Sequence, residues 1–355
     1  MSFKFHNVQI ASIRSLTDDS AEITLQIPAE IKDAFNFNAG QYFTFKTHIN
    51  GEEVRRSYSL CSAPFEGVYR VGIKRVNQGV FSNYALDKLA VGDSIEVMPP
   101  AGNFKYQTNP TAKNNIVLFA AGSGITPILS IAKAILHEEP NSTVTLFFGN
   151  KGFSKVMFAE ELEQLKNNYL TRFRLFHVFS QESQGIPIQK GRIDNERLIA
   201  LHRAFLSHDT IDGVYVCGPE EMILNVKSFF EDKGLAASQI HFELFHAGNS
   251  TKATVREDIR KISTCEVELI IDDDLISFQM EESDKNLLDA AQRAGADVPF
   301  ACKGGVCCTC KAKILEGEAE MLVNYALEPE EVERGYVLTC QAIPTSNKIT
   351  ISFDE

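Results

Sequence analysis

The chain has 355 residues, 44% hydrophobic and 23% charged, an ordinary globular composition long enough for two or three domains that each bury a core. No apolar segment of signal-peptide length opens it, and none approaches the roughly 20 residues that span a bilayer, so the expectation is a cytoplasmic protein without membrane insertion, its thiols kept reduced. A net charge of −12 makes nucleic acid an unsuitable partner.

The first hundred residues carry short strand-like runs, AEITLQI, QYFTFKT, RRSYSLCS, YRVGIKRV and DSIEVM, separated by Gly, Pro, Asn and Asp. That spacing predicts an antiparallel β-barrel. Within RRSYSLCSAP, residues 56 and 58 project from one face of the strand and 57 and 59 from the other. Arg56 suits a phosphate and Tyr58 an aromatic ring, although a half-exposed strand explains both equally well.

NNIVLFAAGSGITPILSIAKAIL predicts a strand over Ile116–Ala121, a glycine turn and a helix. In that setting backbone N–H groups and the helix dipole hold a pyrophosphate. Gly122 and Gly124 fit G-x-G-x-x-G, but Pro127 stands in place of the third glycine. It is read as the first residue of the helix, and an ordinary strand-to-helix turn accounts for the stretch as well. TVTLFFG and FRLFHVFS read as strands, FAEELEQLKNNY as a helix, and DGVYVCGPEEMILNVKSFFEDKG as strand, turn and helix, with Pro219 near the helix start and Gly234 at its end. The alternation predicts a doubly wound parallel sheet. CGPEEM then falls at the carboxyl end of a strand, where ligands bind, while Cys217 alone reads as a small buried hydrophobe.

Residues 247–263 are polar, with Gly, Ser, Thr and alternating charge, and read as a tether. Beyond them CEVELII and LISFQME form an expected hairpin over three Asp, NLLDAAQRAG a helix ending on Gly295, and KITISF a closing strand. Four of the chain's 8 cysteines lie between Cys302 and Cys310. A lone redox pair, Cys307 and Cys310, leaves Cys302 unexplained. Zinc sites favour paired ligands. Cys302-x4-Cys307-x2-Cys310 with remote Cys340 is the plant-type [2Fe–2S] spacing, and Cys308 falls outside it. Gly304 and Gly305 let backbone N–H groups turn toward the sulfurs.

The segment 264–355 carries 19 Asp and Glu against 7 Lys and Arg, so it holds all of the net negative charge. The expectation is that Glu328, Glu330, Glu331 and Glu333 steer this segment onto a basic patch of a partner, with Lys303, Lys311 and Lys313 flanking the cluster loop.

Taken in order, RSYS, GSGITP and CGPEEM over about residues 5–246 resemble the ferredoxin–NADP reductase superfamily. Residues 264–355 closely resemble a plant-type ferredoxin. The resemblance implies a multidomain α/β plus β fold: a flavin-binding antiparallel barrel (1–107), a doubly wound α/β NAD(P)H-binding domain (108–246), the linker (247–263) and a β-grasp [2Fe–2S] domain (264–355). By that likeness Arg56 contacts the flavin phosphate, Tyr58 packs on the isoalloxazine, Ser59 lies near N5 and Lys74 lies near the flavin. Gly79, Val80, Phe81 and Ser82 surround the FAD pyrophosphate, which favours FAD over FMN, and Pro99–Phe104 matches the turn that closes the barrel. Gly122, Gly124, Ile125, Thr126 and Pro127 match the nicotinamide-dinucleotide loop. Cys217, Gly218 and Pro219 lie beside the nicotinamide, with Glu243 and Phe245 near the flavin; Ser59, Cys217 and Glu243 are the catalytic candidates.

The whole order resembles the reductase components of multicomponent bacterial oxygenases, including those of phenylacetyl-CoA epoxidases and of steroid and aromatic-ring oxygenases. It implies electron flow from NAD(P)H through flavin to the cluster and on to a terminal oxygenase. A general diaphorase without a dedicated partner and a cluster-based redox sensor are the other readings. Lys151 and Arg192 are candidate partners of an NADPH 2′-phosphate, whereas Gln181 stands where related NADPH enzymes often show Arg, so weak NADPH preference or dual use is expected.

Overall fold

The structure is a computed structural model that describes residues 4–245 and 264–355; the expected linker, 247–263, and residue 246 lie outside the described residues. The chain divides into two compact units, one comprising Lys4–Pro100 and Phe104–Phe245 and the other holding the C-terminal segment.

The first unit opens with β1 (His6–Thr17), β2 (Ser20–Gln26), β3 (Tyr42–Ile49), β4 (Glu52–Ser59), β5 (Tyr69–Lys74) and β6 (Ser94–Val97). They form one antiparallel sheet in the order β4-β3-β6-β1-β2-β5. A bridge from Leu60 to Val71 joins the two end strands and closes the barrel, a role that family likeness assigns to Pro99–Phe104. Val8, Ile10, Ile23, Leu25, Phe43, Phe45, Val71 and Ile73 fill its interior. β1 is not among the expected strands. Two register shifts against β2 break its alternation, so only Val8 and Ile10 carry a strand signal. A short helix, α1 (Val80–Asp87), follows Gly79, whose added Cβ would stand 2.6 Å from Ser82 Oγ.

The same unit continues as β7 (Asn115–Ala121), β8 (Thr143–Asn150), β9 (Phe173–Phe179), β10 (Gly213–Cys217) and β11 (Ile240–Glu243), with α2 (Ile125–Glu138), α3 (Ala159–Asn168), α4 (Asn195–Phe205) and α5 (Glu220–Asp232) between them. The sheet is wholly parallel in the order β11-β10-β7-β8-β9, as doubly wound packing requires. Its order reverses between β7 and β10, opening a crevice at their carboxyl ends. Pro127 is the third residue of α2, not its first; position three is also free of an intrahelical N–H bond, so the proline costs the helix nothing there. Gly234, at φ +91°, ends α5 as its position suggests.

The second unit contains β12 (Cys265–Ile271), β13 (Asp274–Met280), α6 (Leu287–Arg293), β14 (Lys311–Glu316), β15 (Ala319–Met321), α7 (Pro329–Glu333), β16 (Tyr336–Leu338), β17 (Ala342–Pro344) and β18 (Lys348–Ser352). The mixed sheet runs β13-β12-β18-β14-β16, with only β12 and β18 parallel. α6 lays Leu287, Leu288, Ala290 and Ala291 into one core with Val267, Leu269, Ile349 and Ile351, which is the β-grasp arrangement. The expected hairpin turn is Asp272–Asp273, both left-handed at φ +51° and +64°. The Asp354 carboxylate accepts both of their N–H groups, at 2.9 and 3.0 Å.

Candidate redox sites

The carboxyl ends of three strands meet at the crevice. Ser59 ends β4, Cys217 ends β10 and Glu243 ends β11, where it pairs in register with Cys217. Ser59 Oγ donates to Glu243 Oε2 at 2.9 Å, across 184 residues of sequence. Burial pushes the Glu243 carboxyl up to about 8, against the opposing pull of the Ser59 hydroxyl. Cys217 is buried, and its thiol is pushed well up chiefly by burial, so it stays neutral. The three catalytic candidates therefore form one cluster of proton-holding groups. Phe245, just beyond, packs on the nucleotide-domain core.

On β4, Arg56 is exposed, its guanidinium donating to the Arg55 carbonyl at 2.7 Å. The Tyr58 ring lies 5.9 Å from that of Phe45 and 5.4 Å from that of Phe81. Phe81 is enclosed in the barrel core, so α1 offers a ligand its backbone rather than this ring. Ser82 is also buried, and its hydroxyl accepts the Val76 N–H at 3.1 Å, fixing the loop that leads into α1. Gly79 precedes the free N–H groups at the start of α1, beside the exposed Val80. Lys74 ends β5 with its ammonium 3.8 Å from Asp19, and burial pulls its pKa below the ordinary value.

At the crevice Gly122 adopts φ +55°, and a Cβ on Gly124 would lie 2.1 Å from the Cys217 carbonyl oxygen. Only glycine lets the β7 loop approach β10 so closely. Thr126 is buried and its hydroxyl donates to the Ser123 carbonyl at 3.0 Å, holding the first turn of α2. Gly218 is filled on one side by Met222 and Ala121, and Pro219 caps α5. The β7 loop and the Cys217–Pro219 segment thus pack backbone against backbone at the carboxyl ends of β7 and β10, with the starts of α2 and α5 beside them.

In the second unit Cys302 and Cys307 have sulfurs 3.1 Å apart, and the Cys340 thiol interacts with those of both Cys302 and Cys310. Gly304 N–H donates to Cys302 Sγ at 3.3 Å, as its place in the loop suggests. Cys308 points elsewhere, its sulfur 3.2 Å from the Ala326 carbonyl. Among the described residues no group of three or more His, Cys, Asp or Glu side chains is arranged to hold a single metal ion.

Comparison with known proteins decides the family. Residues 7–106 match the oxidoreductase FAD-binding domain, residues 118–228 the oxidoreductase NAD-binding domain and residues 269–345 the 2Fe-2S iron-sulfur cluster binding domain. The chain is 37% identical to one of the subunits of the 1,2-phenylacetyl-CoA epoxidase of Escherichia coli strain K12, with 99% of this chain and 98% of that protein aligned. The chain belongs to the oxygenase reductase components. It is also 32% identical, over 97% of its length and 95% of the relative's, to the ferredoxin reductase component of 3-ketosteroid-9-alpha-monooxygenase from Rhodococcus rhodochrous. Phthalate dioxygenase reductase shares the fold at a TM-score of 0.60 and 24% identity, covering 98% of both chains.

An oxygenase reductase of this kind is an NAD(P)H-dependent oxidoreductase with FAD-, NAD- and [2Fe–2S]-binding domains, and the residues present fit those groups. A dinucleotide needs close backbone approach at the mouth of the sheet, which Gly122 and Gly124 allow. An iron–sulfur group needs convergent sulfurs with donors turned to them, which the Cys302 loop supplies.

Sequence reasoning missed several contributors. Gln341 Nε2 donates to the Lys303 carbonyl at 3.1 Å, tying the Cys340 segment to the cluster loop; only its place next to Cys340 hints at this. The flanking lysines are engaged: Lys303 with Gln292, Lys311 with Glu331 and Lys313 with Glu355. Glu331 is buried rather than presented to a partner. It accepts the Glu328 N–H at 3.0 Å, capping α7, and binds Lys311 at 3.0 Å.

Proposed function

We propose that this reductase serves an oxygenase acting on phenylacetyl-CoA or a related aromatic compound. The observation that carries the reading is the likeness to the epoxidase component along essentially the whole of both chains, with all three domains in one order. Arg56 and the start of α1 would hold the FAD phosphates, and Tyr58 would lie against the flavin ring. Gly122, Gly124, Thr126, Pro127 and the Cys217–Pro219 segment would hold NAD(P)H. Cys302, Cys307, Cys310 and Cys340 would ligate the [2Fe–2S] cluster. When bound, the flavin accepts a hydride from nicotinamide and releases electrons singly to the cluster.

The chain's own residues prepare that exchange. Ser59 fixes the Glu243 carboxyl, which keeps its proton below about pH 8 and so provides a proton beside the flavin-binding strand. Cys217, neutral and buried, walls the crevice from water. Lys151 and Arg192, both at the surface, are the cations we assign to an NADPH 2′-phosphate, with dual nucleotide use expected. Eight free thiols suit a reducing compartment, consistent with the cytoplasm, and no helix among the described residues is long and apolar enough to cross a membrane.

The test is reconstitution with the oxygenase subunits of an aromatic-CoA epoxidase. Phenylacetyl-CoA should be consumed in step with NAD(P)H. Dye reduction at full rate, with no coupled oxygenation by any aromatic oxygenase supplied, would favour the diaphorase. Failure of NAD(P)H to bleach the flavin would favour the sensor.

A further inference from the structure

α2 leads away from the nucleotide loop as an almost wholly apolar helix, ITPILSIAKAILHE, with one lysine in its middle. Lys133 is only 4% exposed and Ser130, one turn earlier, is 0% exposed. An ammonium in such a place is costly unless it is fully paired. Lys133 Nζ donates to the Cys61 carbonyl at 3.2 Å and pairs with Glu66 at 3.4 Å and Glu161 at 2.5 Å. Ser130 Oγ donates to the Ser62 carbonyl at 2.7 Å.

These partners have a particular address. Cys61 and Ser62 follow Ser59 by two and three residues and adjoin Leu60, which closes the barrel. Both of their carbonyls are bound from α2. Around them a charge lattice crosses the domain boundary. Arg70 binds Glu66, lies 3.6 Å from Glu22 and 3.5 Å from Glu161, and Arg14 binds Glu22 at 3.2 Å. Arg14, Arg70 and Lys133 balance Glu22, Glu66 and Glu161, so the lattice is neutral. Only Lys133 and Glu161 come from the nucleotide domain. At the other end of α2, Gly72 of the barrel leaves room for Thr126, whose methyl would stand 2.6 Å from a Cβ there. The helix that begins at the nucleotide loop is therefore held against the barrel at two levels, on the continuation of β4 through Cys61 and Ser62 and on β5 through Gly72.

We infer that Lys133 and Ser130 are positioning residues for hydride transfer: they fix α2, and with it the Gly122–Gly124 loop, at a set distance from Ser59. The clamp rests on the flavin and nucleotide placements proposed above. Neither Lys133 nor Ser130 is among the residues assigned to either cofactor, so their loss should change the spacing of the two sites without removing an assigned contact. Displacement of about 1 Å costs on the order of a hundredfold in rate.

The experiment uses the full chain loaded with FAD and cluster, mixed anaerobically with NADPH and with NADH. Lys133→Met and Ser130→Ala should lower the limiting rate of flavin bleaching about tenfold to a hundredfold, with nucleotide affinity, FAD content and cluster spectrum unchanged. The long-wavelength charge-transfer absorbance of reduced flavin against oxidised nicotinamide should weaken in parallel, and Lys133→Arg should restore both. Full rate with a full charge-transfer band in Lys133→Met would overturn the clamp. So would a rate loss that tracks thermal unfolding while the band of the folded fraction stays intact. Ser130→Ala deletes a single hydrogen bond and carries the same outcomes where Lys133→Met does not fold. Absence of the band in the unsubstituted protein would overturn the cofactor placements, and the clamp with them.

Discussion

Gly124 and Cys217 approach so closely that a Cβ on the glycine would lie 2.1 Å from the Cys217 carbonyl oxygen. No rotamer relieves that overlap, because both partners are backbone. The β7 loop would have to withdraw from β10, opening the crevice between them. Gly124→Ala should therefore raise the nucleotide KM by about tenfold or more, each factor of ten being about 1.4 kcal/mol. FAD absorbance and the cluster spectrum should persist. An unchanged KM would show that the nucleotide does not rest on this loop.

Cysteine substitutions separate the four convergent sulfurs from the fifth nearby one. Cys302→Ser, Cys307→Ser, Cys310→Ser and Cys340→Ser should each abolish the [2Fe–2S] absorbance and paramagnetic signal. Cys308→Ser should keep both, because its sulfur faces the Ala326 carbonyl instead of the other thiols. Flavin bleaching by NAD(P)H should survive in all five, since hydride transfer precedes the cluster. Loss of the signal in Cys308→Ser alone would refute this ligand set.

What is readable in the sequence is local. Asp272–Asp273 signals its hairpin because short acidic residues tolerate two left-handed positions between alternating strands. β7, β8, β9 and β10 are legible as apolar runs because a parallel sheet is covered on both faces. α4 is not among the expected helices, although NERLIALHRAF buries Leu198 and Leu201 and is capped by Asp194. α1 is short and merges into its glycine motif. Ser59 and Glu243 are each suggested by family likeness, yet nothing in the sequence says that they touch. The contact depends on barrel closure setting the end of β4 against the end of β11. Lys133 does leave a trace, a single charge inside an apolar helix, but its partners come from separate segments far apart in the chain.

The Glu243 carboxyl yields a pH prediction. Its pKa is raised from the ordinary 4.5 to about 8, chiefly by burial. The folded state thus binds a proton that the unfolded state has released between those limits. Stability from this group is fully present below pH 4.5 and is lost as pH rises through about 8. Glu243→Gln, which is neutral at every pH, should remove that loss, so its melting temperature should fall less than the parent's between about pH 6 and 9. The rate of flavin bleaching should lose an inflection near pH 8 in the same variant. Identical pH profiles for variant and parent would show that Glu243 does not titrate in this range.

The acidic charge of the C-terminal domain makes the last prediction, amended by the burial of Glu331. Glu330 and Glu333 are exposed on α7, whereas Glu331 caps the helix and binds Lys311. Two different defects should follow. Glu331→Ala should cost about 2 kcal/mol of domain stability through loss of the cap and the ion pair, and leave the salt dependence of electron delivery unaltered. Glu330→Lys with Glu333→Lys should leave the melting temperature nearly unchanged and slow delivery to the oxygenase about tenfold at low salt. Steering fades as the Debye length falls from about 10 Å at 0.1 M to about 3 Å at 1 M. The parent and the double variant should therefore converge at high salt, while flavin bleaching changes little throughout. Stopped-flow measurement of both steps across that range is the check. A double variant as fast as the parent at low salt would place the acceptor-facing charge elsewhere among the acidic residues of this domain.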